Sequence, residues 1–305
     1  MECSCVELND LPDEILLIIF KKLDNFDILY SFHGIKSKRL NKIIHDPIFT
    51  SNLNFVKWSA NKFHNKLTSN FALNRFRLQI LPDISMKVKW FYLESSSAKN
   101  ILRAADYPNL YGLGLYNINE RQLDVFLLNW RPLSGPISTR SKKKEEDRGN
   151  TTKKIIKSIV QQYVRFISLY DEYPFEHEFF IKISQSFPFM ERLSLINHQS
   201  QIHKQSYKLT NHNFNSTIVK YNYLITLDIE EVHDDYIEEF LFNTKTYFHN
   251  NIVMSINYKS LERVTRNFTR DVTRINCAKI NEIFLSGEKH YSNSLRDYFP
   301  CAIIH

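Results

Sequence analysis

Hydrophobic and polar residues alternate in two different ways along this chain. Residues 8–49 read LNDLPDEILLIIFKKLDNFDILYSFHGIKSKRLNKIIHDPIF and place Leu11, Ile15, Ile18, Ile19 and Leu23 at helical spacing. Asp10 stands where it can cap this helix, and Pro12 suits a first turn. Asp13 and Glu14 add negative charge at the positive end of the helix dipole. Asn25 interrupts the pattern. Asp27 is then placed to cap a second helix carrying Ile28, Leu29 and Phe32, which Gly34 ends. A third helix carries Ile35, Leu40, Ile43 and Ile44, with Lys36, Lys38, Arg39 and Lys42 on its wet side, and Asp46-Pro47 stops it.

Three helices this short make a unit too small to be very stable alone. They also carry more apolar positions than a three-helix core needs. The surplus predicts a packing surface. Its occupant is either another protein or the chain's own C-terminal part, and the pattern does not choose between them.

After residue 85 the period changes. An apolar signature of the form Φ-x-x-Φ-x-Φ recurs as Val88-Phe91-Leu93, Leu110-Leu113-Leu115, Val164-Ile167-Leu169, Met190-Leu193-Leu195, Leu224-Leu227-Ile229, Val253-Ile256-Tyr258 and Ile280-Ile283-Leu285. One such triplet means nothing in a chain with 43% hydrophobic residues. The spacing means more, because successive starts lie 22, 54, 26, 34, 29 and 27 residues apart. Three copies also share an aromatic residue three places upstream, at Tyr107, Phe187 and Tyr221. The last two apolar residues of each triplet alternate, so they point inward from one short strand. The returns at Ala98–Ala105 and Asp234–Phe242 have helical patterns. Each unit would bury its apolar face only against its neighbours. Near the C-terminus Val272-Ile275-Cys277 competes with Ile280-Ile283-Leu285 for the register. Tyr298-Phe299-Pro300-Cys301 restarts the aromatic frame, which predicts a truncated final unit or an incomplete chain. The expected organisation is a helical domain at 8–50, a helical connector at 51–85 and a repetitive domain at 86–305, with a flexible charged insertion at 131–150.

Composition narrows the function. Six glycines argue against phosphate-cradling loops and against all-β folds with many tight turns. The net charge of +7 is spread along the chain. Its one basic cluster, Arg140 to Lys157, is broken by Glu145, Glu146 and Asp147 and has the composition of a solvated loop. Most aromatic residues occupy core positions of the pattern, which speaks against nucleic-acid binding. Cys3, Cys5, Cys277 and Cys301 form neither a disulfide framework nor a zinc ligand set. The start is acidic and polar, unlike a signal peptide, and the early apolar run from Ile15 to Phe20 is far too short for a membrane span. A reduced, soluble, cytoplasmic or nuclear protein is expected. His177-Glu178 has Ile181 where a zincin helix needs histidine. His233-Asp234-Asp235 is expected to be a solvated helix start, and Cys277 a buried core thiol rather than the nucleophile of a pair with His290. These residues predict a non-enzyme without cofactor or metal.

The N-terminal string resembles the F-box family. The resemblance rests on Leu11-Pro12-Asp13-Glu14-Ile15, Ile19-Phe20-Lys21-Lys22-Leu23, Asp27-Ile28-Leu29 and Asp46-Pro47-Ile48-Phe49. It departs from the family at Leu40, where many members carry tryptophan. The resemblance implies docking onto a Skp1-type adaptor, with Leu11, Pro12, Ile15, Ile19 and Leu29 contributing, each buried aliphatic worth about 1.5–3 kcal/mol. The triplets resemble the L-x-x-L-x-L core of leucine-rich repeats. The asparagine or cysteine of that repeat is missing, since Ile118, Glu172, His198, Val232 and Glu288 stand at its place. The backbone of the connecting turns must then be satisfied in another way. The fold class expected is α/β: a three-helix F-box followed by an irregular leucine-rich-repeat-like solenoid. An irregular α/β domain with a mixed sheet is the alternative. Together the resemblances imply a substrate-recognition adaptor of an SCF-type ubiquitin ligase, linked through Skp1 to a cullin, with Tyr111, Arg192 and Thr226 among the client-facing positions. A non-ligase binding scaffold with a diverged F-box is the second reading.

Overall fold

The computed structural model describes residues 8–59, 62–67, 69–118, 163–203, 218–249, 251–287, 292 and 294–305. The insertion expected at 131–150, and Glu288 and His290, lie outside them. The chain divides between Leu110 and Tyr111 into two compact units, rather than at residue 85.

The first unit opens with a 3-10 turn at Leu8–Asp10, followed by α1 (Asp13–Phe20), α2 (Asn25–Phe32), α3 (Lys38–Ile44) and α4 (Pro47–Thr50). Helix α1 starts after Pro12 without a side-chain cap, so Asp10 does not serve as one. Helix α2 starts earlier than the sequence implied. Asp24, not Asp27, accepts the Phe26 N–H at 2.8 Å, and Asp27 falls within the first turn. Gly34 then takes φ of 80°, the left-handed conformation that ends this helix region. Ser37 caps α3 by accepting from Leu40 N–H, and Asp46 caps α4 with Pro47 behind it. Leu16, Phe20, Ile28, Leu40, Ile43, Ile44 and Phe49 form one buried cluster, with the Phe20 ring edge-on to Phe49 at 6.2 Å.

Residues 51–85 are not wholly helical. They contain β1 (Asn52–Asn54), an antiparallel hairpin of β2 (Val56–Ser59) and β3 (Lys62–Asn65), and helical turns α5 (Asn70–Arg75) and α6 (Leu81–Ile84), joined by a π-helical turn at Phe76–Ile80. The period of two in Asn52-Leu53-Asn54 buries only Leu53, and helix begins where Ser69 accepts from Ala72 N–H at 3.1 Å. Strand β4 (Trp90–Glu94) pairs parallel with β1, Phe91 opposite Leu53, and α7 (Ser95–Leu102) follows it.

The second unit holds β5 (Gly112–Tyr116), β6 (Phe166–Tyr170), β7 (Arg192–Ile196), β8 (Val219–Tyr221), β9 (Thr226–Ile229), β10 (Thr246–Phe248), β11 (Ile252–Asn257), β12 (Ile280–Ser286) and β13 (Ile303–Ile304). Its helices are α8 (His177–Ser186), α9 (Asp234–Leu241), α10 (Tyr258–Thr265), α11 (Asp271–Cys277) and α12 (Ser294–Tyr298). Strands β5, β6, β7, β9, β11, β12 and β13 lie side by side in that order, and every described pairing among them is parallel. Strands β8 and β10 form a separate parallel pair. Parallel neighbours need crossover connections, and the helices provide many of them.

Register explains the apolar triplets. Leu113, Ile167, Leu193, Leu227, Met254 and Ile283 occupy one continuous row across the sheet, all buried. Near the C-terminus the triplet beginning at Ile280 falls on a strand, and its competitor Val272-Ile275-Cys277 is helix α11. One triplet is misplaced. In β11 the buried residues are Ile252, Met254 and Ile256, while Val253 lies on the other face and Tyr258 opens α10. The run Ile-Val-Met-Ser-Ile carries apolar side chains on both faces, so pairing of Met254 with Leu227 sets its phase. The restart near the C-terminus becomes β13, with Ile304 beside Ile283.

The missing polar position lies one residue earlier than the repeat pattern puts it. Glu172 and His198 are exposed, whereas Asp171 and Asn197 are buried. Asp171 accepts the Tyr173 N–H at 2.8 Å. Asn197 donates to the Tyr173 carbonyl at 2.8 Å and accepts from Gln199 N–H at 2.9 Å. Gln201 continues the series by donating to the Phe175 carbonyl. These side chains satisfy turn backbone that would otherwise be buried unpaired.

Candidate protein-docking surfaces

Helix α1 has two apolar faces. Leu16 and Phe20, four residues apart, enter the core. That rotation leaves Ile15 at 42%, Ile18 at 57% and Ile19 at 38% exposure, with Leu23 beyond the helix end at 46%. The four residues follow i, i+3, i+4, i+8 spacing and form one aliphatic stripe. Single exposed apolar residues are ordinary, but a helical stripe of them is a candidate interaction surface. Of the residues expected to meet an adaptor, Ile15, Ile19 and Pro12 are exposed, and Leu11 packs partly against the core. Leu29 is fully buried. Because α2 begins at Asn25, Phe26, Ile28 and Leu29 all point into the first unit, and Leu29 is removed from the candidate surface. Ile18 and Leu23 replace it. Their helical spacing carried the signal, although the family pattern did not select them.

The sheet of the second unit offers a different surface. On its outward face Arg192 lies between Phe166 and Thr226. The next row runs Gly114, Ser168, Ser194, Asp228 and Ser255, and the Ser194 hydroxyl donates to Asp228 Oδ2 at 3.1 Å. A third row brings Tyr116 beside Tyr170, ring centroids 5.9 Å apart. At the end where the strands begin, Tyr111, Tyr223 and Ile225 are exposed, Tyr223 touches Phe189, and the Arg165 guanidinium lies over the Phe189 ring. Tyrosine, phenylalanine and arginine at this end are residue types enriched where proteins meet. Of the three positions suggested by the repeat pattern, Arg192 and Thr226 are direct neighbours on this face and Tyr111 sits at its rim.

The titratable groups of the second unit are mostly tied down. Glu239 is completely buried and receives Lys245 Nζ at 3.3 Å on Oε2, while its other oxygen meets His177 Nδ1. Burial pushes the Cys277 thiol up to about 12, so it stays protonated and unreactive. His233, Asp234 and Asp235 begin α9, but Asp235 is buried rather than solvated and accepts from Gln201 N–H. Asp234 instead pairs with Arg263 at 2.8 Å, which holds its carboxyl below the usual range. His233 Nδ1 lies 3.3 Å from Asp235 Oδ2 while Asp234 turns to Arg263, so the three do not converge on one ion. In the first unit, His33, His45 and Asp83 do converge, and they are the group among the described residues able to hold a metal.

The chain matches no family model and no curated protein. Among the described residues, no helix is long and apolar enough to cross a membrane.

Proposed function

We propose that the first unit carries an F-box, that the second is an irregular leucine-rich-repeat-like solenoid, and that the protein is the substrate-recognition adaptor of an SCF-type ubiquitin ligase. The observation that carries the proposal is the exposed stripe Ile15, Ile18, Ile19 and Leu23, set on a helix whose opposite side, Leu16 and Phe20, already fills the local core. A helix with both faces apolar needs a second packing partner. The F-box resemblance supplies its chemistry, a groove between the C-terminal helices of a Skp1-type protein. The outward sheet face would hold the client, and ubiquitin transfer would gain rate from proximity alone. No group in this reading performs chemistry.

The test is co-purification with Skp1 through residues 8–50. Wild-type protein is expected to retain the adaptor, and Ile15→Asp with Ile19→Asp to release it while leaving helical content unchanged. Retention by the double variant, or no binding by wild type, would sink the proposal. The departure at Leu40, a buried core residue here, keeps a second reading in view. A scaffold with a diverged F-box would bring down Skp1 without a cullin, so probing the same complex for cullin separates the two.

A further inference from the structure

We propose that His33, His45 and Asp83 form a three-ligand site for a divalent transition metal, zinc in the first place, that clips α2 and α3 to α6. The Nε2 atoms of both histidines point at the same atom, Asp83 Oδ2, each at 3.0 Å. The two imidazole rings lie 5.5 Å apart, centroid to centroid.

The convergence of three donor atoms is what suits a cation. His45 Nδ1 lies 2.7 Å from the Asn41 carbonyl oxygen, which only accepts, so this nitrogen carries the proton. Nε2 is therefore the nitrogen that faces the Asp83 carboxylate oxygen. At 3.0 Å the two atoms share a positive centre, either a proton or a metal ion. A backbone carbonyl fixing Nδ1–H while Nε2 faces the ion is the usual outer-shell arrangement of metal-binding histidine.

Local charge points the same way. His33 is the C-cap residue of α2 and His45 that of α3. Two helix C-termini therefore direct partial negative charge at the cluster, beside a carboxylate. Both backbones are held in place from outside, Arg75 donating to the His33 carbonyl at 3.1 Å and Lys87 to that of His45 at 2.8 Å. Zinc bonds of roughly 2.0–2.2 Å in tetrahedral geometry put donors about 3.3 Å apart. The two nitrogen-to-oxygen separations are a few tenths of an ångström shorter, and all three donor atoms lie within 4.8 Å of one another. Asp83 is 59% exposed at its side chain, so its carboxylate has room to turn toward an ion. Two imidazoles and one carboxylate suit zinc and leave one coordination position open.

The test uses the full chain, stripped of metal, with Cys3→Ser and Cys5→Ser so that thiols do not capture zinc. Titration with zinc alone, followed by calorimetry and elemental analysis, is expected to give one ion per chain and a rise in unfolding temperature. His33→Asn with His45→Asn is expected to abolish uptake. Asp83→Asn changes an exposed side chain and leaves the fold intact, so it decides the matter if the histidine variant fails to fold; it is expected to weaken zinc by roughly tenfold or more. No uptake by the parent chain would overturn the site and leave an imidazolium–carboxylate pair in its place. Uptake equally strong in the Asp83→Asn variant would overturn it too.

Discussion

In the first unit large apolar side chains stand in water, and in the second unit charged ones stand in the core. Ile15, Ile18 and Ile19 lie on the open side of α1. The buried polar residues of the first unit are only Thr50, Ser85 and Ser97 among those described. The second unit also exposes apolar residues, Ile202 and Phe284 among them, but differs in burying Asp171, His177, Asn197, Asp235, Glu239 and Lys245 among others. These two departures from the inside-outside rule cost different things. An exposed isoleucine forgoes stabilisation but breaks nothing, and the loss is recovered when a partner covers it. A buried carboxylate must keep every partner it has, because the penalty for an orphaned charge is larger than the gain from the pair. On the proposed reading the first unit is completed from outside, whereas the buried polar groups of the second hold its turns in one geometry.

The largest effect should come from the most buried charge. Glu239→Ala removes the carboxylate that His177 and Lys245 share and takes the counter-charge from a buried ammonium. A loss of about 3–5 kcal/mol is expected in urea unfolding. Glu14→Ala, on the exposed start of α1, should change stability by no more than about 0.5 kcal/mol. If both variants cost the same, buried charge is not what distinguishes the second unit.

The next test sits within one helix. Leu16→Ala opens the cluster formed with Phe20, Ile44 and Phe49 and should cost about 2–5 kcal/mol. Ile18→Ala, two residues on, should stay within about 0.5 kcal/mol of wild type, because the removed atoms are already wet and alanine favours helix. In the presence of Skp1 the order should change, Ile18→Ala weakening the complex without weakening the fold. Equal destabilisation of the free protein by both changes would mean that the stripe is covered in solution.

How much of this was legible in the chain depends on which interactions set each feature. The strands at Leu113, Ile167, Leu193, Leu227 and Ile283 are readable because one face is buried and period two has one phase there. Strand β11 was misphased because Val253 and Met254 are equally apolar, so only pairing with β9 decides. Strand β1 went unseen because it is three residues long and follows a helical run. Of the expected docking residues, Ile15 and Ile19 are exposed on α1 while Leu29 is buried, since the family motif does not record which side of α2 faces the core. Asp171 and Asn197 were missed by one position, because the tight turn after each strand places the inward side chain before the repeat's usual site. His33, His45 and Asp83 have no spacing signature; they meet only through the turn that brings α6 beside the ends of α2 and α3.

The smallest expected effect is also the one with a pH signature. Burial pushes the Asp171 carboxyl from 3.8 up to about 6, against the opposing pull of the Tyr173 N–H. Its Oδ2 is buried and makes no hydrogen bond among the described residues. The folded state therefore holds this proton more tightly than the unfolded state does. The stability it contributes is fully present below about pH 4 and is lost as pH rises through about 6. The rise corresponds to about 3 kcal/mol at most. Asp171→Asn keeps an acceptor for Tyr173 and removes the charge, but it buries an amide N–H₂ without a ready acceptor. A net gain of about 1 kcal/mol is expected at pH 7, shrinking as pH falls from 6 towards 4. Urea unfolding of both proteins at pH 4 and pH 7 reads the difference directly. A variant that is less stable than wild type at pH 7 would mean that the charge itself holds the turn. The second unit would then bury its carboxylates for their bonding strength, and not merely tolerate them.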